Sequence, residues 1–566
     1  MDIALERPLL AFAIAAVVIA ATLLYQNLYY RRFQQFAHLP QLPPSLIWGH
    51  LKHFNDFTNR GKLDRHPGNK PALANGVWSL LIHAPRAGAA TPYAHEQLAT
   101  RPPMVVIVSH QVAEQISKPT AKFPYSALKS SSLSHVNELI GHRSILLKQG
   151  EEWKTIRRRF NPGFAPQKLM TLLPIIVDNM TPYLENIDAF VRSGRSFSLD
   201  EITTNLTFDI IGAVSVNENM NAQYADRQGD LIRTFKQLIK SGIRGRYATV
   251  VLVVDPLMHL RRRRLGKSIT RQLQHIVKRS FADIKARERD GKEPDKLRTV
   301  VSLSLHDIDR LTPGVLEETC DQLKTFFFAG HDSTSAILVW AIYELSRTPH
   351  ALQGVHDELD TLFGRDGARD PSIVQAKLLA PGGEEIVHRM RYISAVLKET
   401  LRLHPPAGSV RVARPGSGFV VSTPEGGEYN LDGCWMYINH NIVHRDPAVY
   451  GDSANDFVPE RWLSSGTDTH LPPASAWRPF ERGPRNCIGQ ELANIELRVI
   501  IAMLARRYEF TKVGLGEFQV DPQGRPTVDD KGQFKVKSEL YNMYKIASKP
   551  VDGMMMKVKL ASATAG

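Results

Sequence analysis

PFERGPRNCIGQELA, residues Pro479 to Ala493, places one cysteine between Gly483 and Gly489, two positions after Arg485 and directly ahead of a stretch that reads as a helix from Gln490. Cys487 is one of only three cysteines in 566 residues, with Cys320 and Cys434. So few and so scattered, they form neither a disulfide framework nor a CxxC zinc site, and they fit a reducing compartment. A lone cysteine is ordinarily a buried, inert packing residue, and Cys320 and Cys434 read that way. Cys487 has different surroundings. Gly483 allows a tight turn before it and Gly489 allows a flat object to approach the chain after it. The free N–H groups of the following helix and the guanidinium of Arg485 favour a thiolate. A thiolate in a tight loop facing a planar group suits an axial ligand of haem iron. A catalytic nucleophile is the alternative, but it requires a partner base and no protease-like signature surrounds it.

Working outward, the longest helical pattern runs from Leu311 to Arg347, with Thr312 and Pro313 as cap and first turn and Pro349 as the stop. At about 1.5 Å per residue it makes a rod of roughly 50 Å. In its middle, FFFAGHDSTS sets Gly330, Asp332, Ser333 and Thr334 into an apolar face. Gly, Asp and Ser are poor interior helix residues, and Ser and Thr hydroxyls compete for backbone carbonyls, so a local opening of the helix is expected here. Further helices are expected over Glu152 to Arg159, Gln167 to Phe190, Ser268 to Asp290, Glu384 to Leu403 and Gln490 to Tyr508. Short strands are expected at Gly418 to Val421, Cys434 to Ile438 and Phe534 to Val536. The class is mainly α with a small β portion.

The N-terminus carries an uncharged run from Pro8 to Tyr30, long enough to cross about 30 Å of hydrocarbon, followed by Arg31 and Arg32. An acidic start, the length of the run and the arginine pair argue for an uncleaved anchor rather than a signal peptide, with the arginines cytosolic. Residues 1–30 are therefore expected to be a transmembrane anchor, 31–52 a basic and proline-rich hinge, and 53–566 one large domain. The net charge of +14 includes runs at Arg157 to Arg159 and Arg261 to Arg264. No zinc-finger or RNA-recognition signature accompanies them, so they are not read as nucleic-acid binding.

Phe480, Gly483, Arg485, Cys487 and Gly489 fit the F-x-x-G-x-R-x-C-x-G signature, and in this the chain resembles the cytochrome P-450 family of haem-thiolate monooxygenases. Four further stretches match in the family's order. EEWKTIRRRF supplies Trp153 and Arg157, which by resemblance hold haem propionates. AGHDST resembles the segment over the oxygen-binding face, where Gly330 would border the cofactor and Asp332 with Ser333 or Thr334 would deliver protons; Ser333 stands where the family usually has Thr. KETLRLHPP supplies Glu399 and Arg402, which with Arg461 of FVPERW resemble a structural triad. SVRVARP supplies Arg411, by resemblance a further propionate arginine, with Arg414 as the alternative should the register slip; His404 reads as a packed neighbour.

The resemblance implies a P-450 fold, haem b with Cys487 as its axial ligand, an endoplasmic reticulum membrane location with a cytosolic body, O2 and a small apolar organic substrate. The 79 residues after Cys487 are too few for a flavin domain. Electrons are therefore expected from a separate NADPH-dependent flavoprotein reductase, whose acidic face would suit the basic surplus. The motif fillings look fungal and suggest a secondary metabolite, a polyketide or terpenoid, as substrate. The rivals are a haem-thiolate peroxide isomerase needing no reductase, a fatty-acid or xenobiotic hydroxylase, and a non-catalytic haem sensor. By resemblance the substrate-contacting stretches include Phe123 to Ile145, Phe326 to Thr334 and Ala407 to Val412.

Overall fold

The computed structural model describes residues 3–39, 43–46, 103–130, 136–242, 256–291, 299–463, 471–544 and 547–561. The expected boundary between hinge and body at residues 52 and 53, and part of the stretch from Phe123 to Ile145, lie outside the described residues.

The fold is organised around the helix Pro313–Arg347, here α5. Its start is fixed locally: Pro313 occupies the first turn and the Thr312 hydroxyl accepts the backbone N–H of Val315, which satisfies one of the orphan donors of a helix start. Downstream the helix is buried nearly all round, with Phe327, Leu338 and Trp340 fully enclosed. Each such side chain contributes about 1.5–3 kcal/mol by leaving water. The Trp340 ring stacks on His404 at 3.7 Å, and His404 Nε2 pairs with Glu344 at 2.6 Å, so His404 is a packing residue behind the site.

Five other helices matter for the site: α1 Ile3–Tyr29, α2 Gly150–Phe160, α3 Leu199–Val216, α6 Arg391–Leu403 and α7 Gln490–Leu504; α4 is the basic helix Pro256–Arg289. Helices α3, α6 and α7 all pack on α5. A four-stranded sheet lies to one side. It comprises β1 Met104–Ile107, β2 Leu128–Lys129, β3 Ser409–Val412 and β4 Trp435–Ile438, in the order β1-β4-β3-β2. The β2–β3 register sets Lys129 opposite Arg411. Toward the C-terminus come β5 Tyr508–Lys512, β6 Asn542–Tyr544, β7 Ser548–Pro550 and β8 Met555–Leu560.

Several expected elements differ. The helix expected over Gln167 to Phe190 is three helices, Pro166–Met170, Leu173–Asp178 and Met180–Ser193, because Pro174 cannot continue a preceding helix and starts a new one. The stretch Glu384 to Leu403 is broken at Met390, whose ψ of 71° is not helical. Tyr508 opens β5 rather than closing α7, and Phe534 and Val536 form only isolated bridges. The expected opening of α5 near Gly330 does not occur. The helix is continuous through it, and the Ser333 and Ser335 hydroxyls are absorbed by the Ala329 and Asp332 carbonyls at 2.7 and 3.0 Å.

Helix α1 leaves its apolar side chains uncovered, Phe12 at 78% and Ile19 at 60% exposure. A span from Ala11 to Gln34 is long and apolar enough to cross a membrane, as expected of an anchor.

Candidate active site

The loop Pro479–Gly489 is locked by bonds within itself. The Cys487 N–H donates to the Phe480 carbonyl at 2.8 Å and the Asn486 N–H to that of Gly483 at 3.1 Å. Gly483 has φ of +75°, and a Cβ there would lie 2.1 Å from the Ser117 carbonyl oxygen, so both its conformation and its closeness to a neighbouring chain require glycine. A Cβ at Gly489 would point into open space. From the other side, Arg157 of α2 donates to the carbonyl and side-chain oxygens of Asn486 at 2.7 and 3.1 Å.

Cys487 borders a cavity of about 350 Å³. A second part of its wall is α5, with Phe326, Ala329, Gly330, Asp332, Ser333, Thr334 and Ile337; Trp153, Arg157, Phe480, Arg485 and Gly489 border it as well. Nine of the expected site residues thus meet here with the cysteine. Gly330 serves a further purpose, since a Cβ on it would approach Ile211 of α3 to 2.9 Å. Arg485 is buried, stacks on Trp153 at 4.5 Å and donates to the Lys148 carbonyl at 2.9 Å.

Burial pushes the Cys487 thiol above its ordinary value, against the pull of the Gly489 N–H, Arg157 and Lys129. The helix terminus thus favours the thiolate as expected, through the Gly489 N–H, while the cations that act on the sulfur are Arg157 and Lys129 in place of Arg485, and desolvation outweighs all of them. Coordination to a metal deprotonates such a thiol outright.

Arg411 departs from its expected place. It is fully buried and not part of the cavity wall. Its Nε and Nη2 have no hydrogen-bond partner, and Nη2 stands 3.7 Å from Glu481. At that edge the wall is made by Lys129, Ser409, His440 and Glu481. Burial pulls the Lys129 ammonium down to about 7 and His440 to about 4, while Arg478, His440 in its protonated form and Arg411, opposing burial, hold Glu481 down to about 2. Arg414 lies beyond the end of β3.

Asp332 is bound from the C-terminal segment. The Lys549 ammonium of β7 sits 2.9 Å from Asp332 Oδ1 and 2.8 Å from Asp200 of α3, and the Ala547 N–H donates to Asp332 Oδ2 at 2.8 Å. Burial alone raises the Asp332 carboxyl, but Lys549 reverses this and holds it below the usual range. In the expected structural triad, fully buried Glu399 receives Arg402 at 2.7 and 2.9 Å and Arg461 at 3.0 Å. Trp462 adds a fourth bond, its indole N–H donating at 2.9 Å.

The lining fits a flat, anionic macrocycle carrying its own metal. Among the described residues no cluster of His, Cys, Asp or Glu is able to hold a bare ion, and Cys487 offers a single sulfur. At one edge Ser409 Oγ and His440 Nε2 are buried without hydrogen-bond partners beside Lys129, with the unpartnered Nε and Nη2 of Arg411 behind them, a polar and basic margin on an otherwise apolar slot.

The comparisons agree with this geometry. A family model described as Cytochrome P450 matches residues 97–526, and the chain belongs to that family, the haem-thiolate monooxygenases. Cytochrome P450 monooxygenase acrF of Aspergillus aculeatus is 28% identical over 80% of this chain and 91% of its own length. Cytochrome P450 monooxygenase polC of Polytolypa hystricis is 28% identical over 72% of this chain and 71% of its own. A crystal structure of a cytochrome P450 (CYP102L1) superposes with a TM-score of 0.60 at 19% identity, over 81% of this chain and 92% of that one. The fold is thus the P450 fold, and the cofactor is haem held by a cysteine thiolate.

Lys129, Glu481 and Lys549 escaped the sequence reading. Glu481 lies inside the signature at a position it leaves free. Lys129 and Lys549 sit in bland contexts, SALKS and ASKPV, and nothing local marks them.

Proposed function

We propose that this protein inserts one oxygen atom from O2 into a C–H or C=C bond of a small apolar molecule, in fungal secondary metabolism, with electrons from a separate NADPH-dependent flavoprotein reductase. Bound haem supplies iron that activates O2 as it takes up two electrons. The observation that carries the reading is one cavity with Cys487 on one wall and an acid–alcohol group on the other.

Cys487 Sγ is the iron ligand, and Phe480, Gly483 and Gly489 give the loop its shape. Trp153, Arg157 and Arg485, with Lys129, form the margin that holds the propionates. Ile211, Phe326, Ala329 and Ile337 exclude water and bind apolar substrate by contact alone. Asp332 passes a proton into the cavity and a hydroxyl of Ser333 or Thr334 orients it. Glu399, Arg402 and Arg461 brace the frame. Helix α1 anchors the body in the endoplasmic reticulum membrane, with the catalytic domain cytosolic.

Reconstitution with a flavoprotein reductase, NADPH and candidate polyketides or terpenoids tests the whole. Label from 18O2 is expected in the product. Product formed from a hydroperoxide without reductase would replace this reading with the isomerase. Asp332→Asn is expected to slow product formation at least tenfold, within the range of general acid–base contributions, with haem content unchanged.

A further inference from the structure

Glu481 occupies an uncomfortable position on the charged edge of the cavity. Its φ of +58° lies in the left-handed region, which is unfavourable for a residue with a Cβ. Its carboxylate is nonetheless buried beside two cations, Arg478 at 2.7 Å and Arg411 at 3.7 Å, with His440 Nε2 at 3.9 Å and the Ser117 hydroxyl donating at 3.3 Å. Glu481 borders the cavity directly, whereas Arg411 does not. Arg478 has a second carboxylate partner, Glu114 at 3.4 Å, so neutralising Arg478 does not by itself require Glu481.

We propose that Glu481 is a third carboxylate on the haem's charged edge, which engages Arg411 in place of a propionate and holds the reduction potential of the iron down. The inference rests on this cavity being the haem's. The step concerned is one-electron: ferric iron gains an electron from the reductase and becomes ferrous, so the site loses one unit of positive charge. A fixed buried anion stabilises the more positive, ferric form, and the effect is large because the edge is poorly solvated. Removing the charge also releases Arg411, a cation, which favours the ferrous form further. Both consequences have the same sign.

The test is spectroelectrochemical titration of the holoprotein, with wild type and variants compared at the same pH. Glu481→Gln keeps the shape, and Glu481→Asn suits the left-handed backbone. Both are expected to raise the midpoint potential, by an amount near a tenfold change in the ferrous-to-ferric ratio at fixed applied potential, about 59 mV for one electron. Haem should also dissociate more slowly from the variants, because a carboxylate that repels the propionates has gone. An unchanged or lowered potential in a haem-loaded variant overturns the proposal. Failure of both variants to take up haem overturns it as well, since Glu481 would then serve only to fix the arginines. A wild-type chain that bound no haem would instead remove the reading on which the proposal stands.

Discussion

The two walls of the cavity are built in opposite ways. The cysteine wall is local: an eleven-residue loop closes on itself through the Cys487 N–H to Phe480 carbonyl bond, with its left-handed backbone positions at Glu481 and Gly483. The helix wall is assembled from distant parts. Asp332 receives Lys549 and Ala547, the latter 215 positions away, and shares Lys549 with Asp200 of a third element. A short loop specified by its own residues has one shape, whereas a carboxylate held by an ammonium ion depends on three segments arriving together. Changes on the first wall should therefore act in an all-or-none manner, and changes on the second by degrees.

The largest expected effect is on the loop. Cys487→Ala should abolish the thiolate-type spectrum of the reduced carbon monoxide complex entirely, while circular dichroism shows the helices retained. Persistence of that spectrum would assign the ligand to another residue.

Next comes the frame that carries the loop. Arg402→Met leaves Glu399 with three donors, Arg461, Trp462 and the Val458 N–H, and leaves the carbonyls of His444, Ala454 and Asp456 without the guanidinium that reaches them at 2.6–2.9 Å. Breaking a buried pair of this kind costs about 3–5 kcal/mol. Denaturant unfolding of the holoprotein should register that loss, together with weaker haem retention. A cost under about 1 kcal/mol would mean that the remaining three donors satisfy Glu399 unaided.

The helix wall is tested by Lys549→Met. In the wild type Asp332 has a depressed folded-state value, so its contribution to stability is present above the unfolded carboxylate pKa and is lost as pH falls. Lys549 is raised, its burial outweighed by Asp332 and Asp200, so its contribution is present until pH climbs through its folded value. Without Lys549, burial is opposed only by His331 and the Ala547 N–H and Asp332 moves upward; the variant then loses stability as pH rises through that new value. The gap between wild type and variant should be small near pH 4 and widen to about 3 kcal/mol at neutral pH. A pH-independent gap would show a packing defect in place of a broken ion pair.

How much of this was legible in the sequence follows from the same division. The loop, the triad and the order of motifs were readable because their chemistry is written within ten or so residues, or in an i, i+3 pair such as Glu399 and Arg402. The course of α5 was readable from its cap, its apolar run and Pro349. Its continuity through Gly330 was not, because the hydroxyls that suggested an opening find carbonyls on their own helix. Lys129 opposite Arg411 depends on strand register, and Lys549 against Asp332 on a tertiary contact. Neither distance has a trace in the letters. Glu481 was visible as a charge in the signature, but only its neighbours Arg411, Arg478 and His440 give that charge a consequence.

The smallest expected effect sharpens the division within the helix itself. Ser333 donates to the Ala329 carbonyl at 2.7 Å, yet a serine has no second substituent on Cβ to keep it there, and its hydroxyl is free to leave that rotamer. Ser333→Thr adds the methyl that restricts χ1. If the hydroxyl's orientation governs proton delivery, the share of NADPH electrons recovered in product should rise, by less than about twofold since only a rotamer preference changes. Peroxide release should fall in proportion, and the spectral change on substrate binding should stay as it was. A weakened spectral change would place the methyl in the space substrate needs, making the serine a matter of room in the cavity and leaving proton delivery to Thr334.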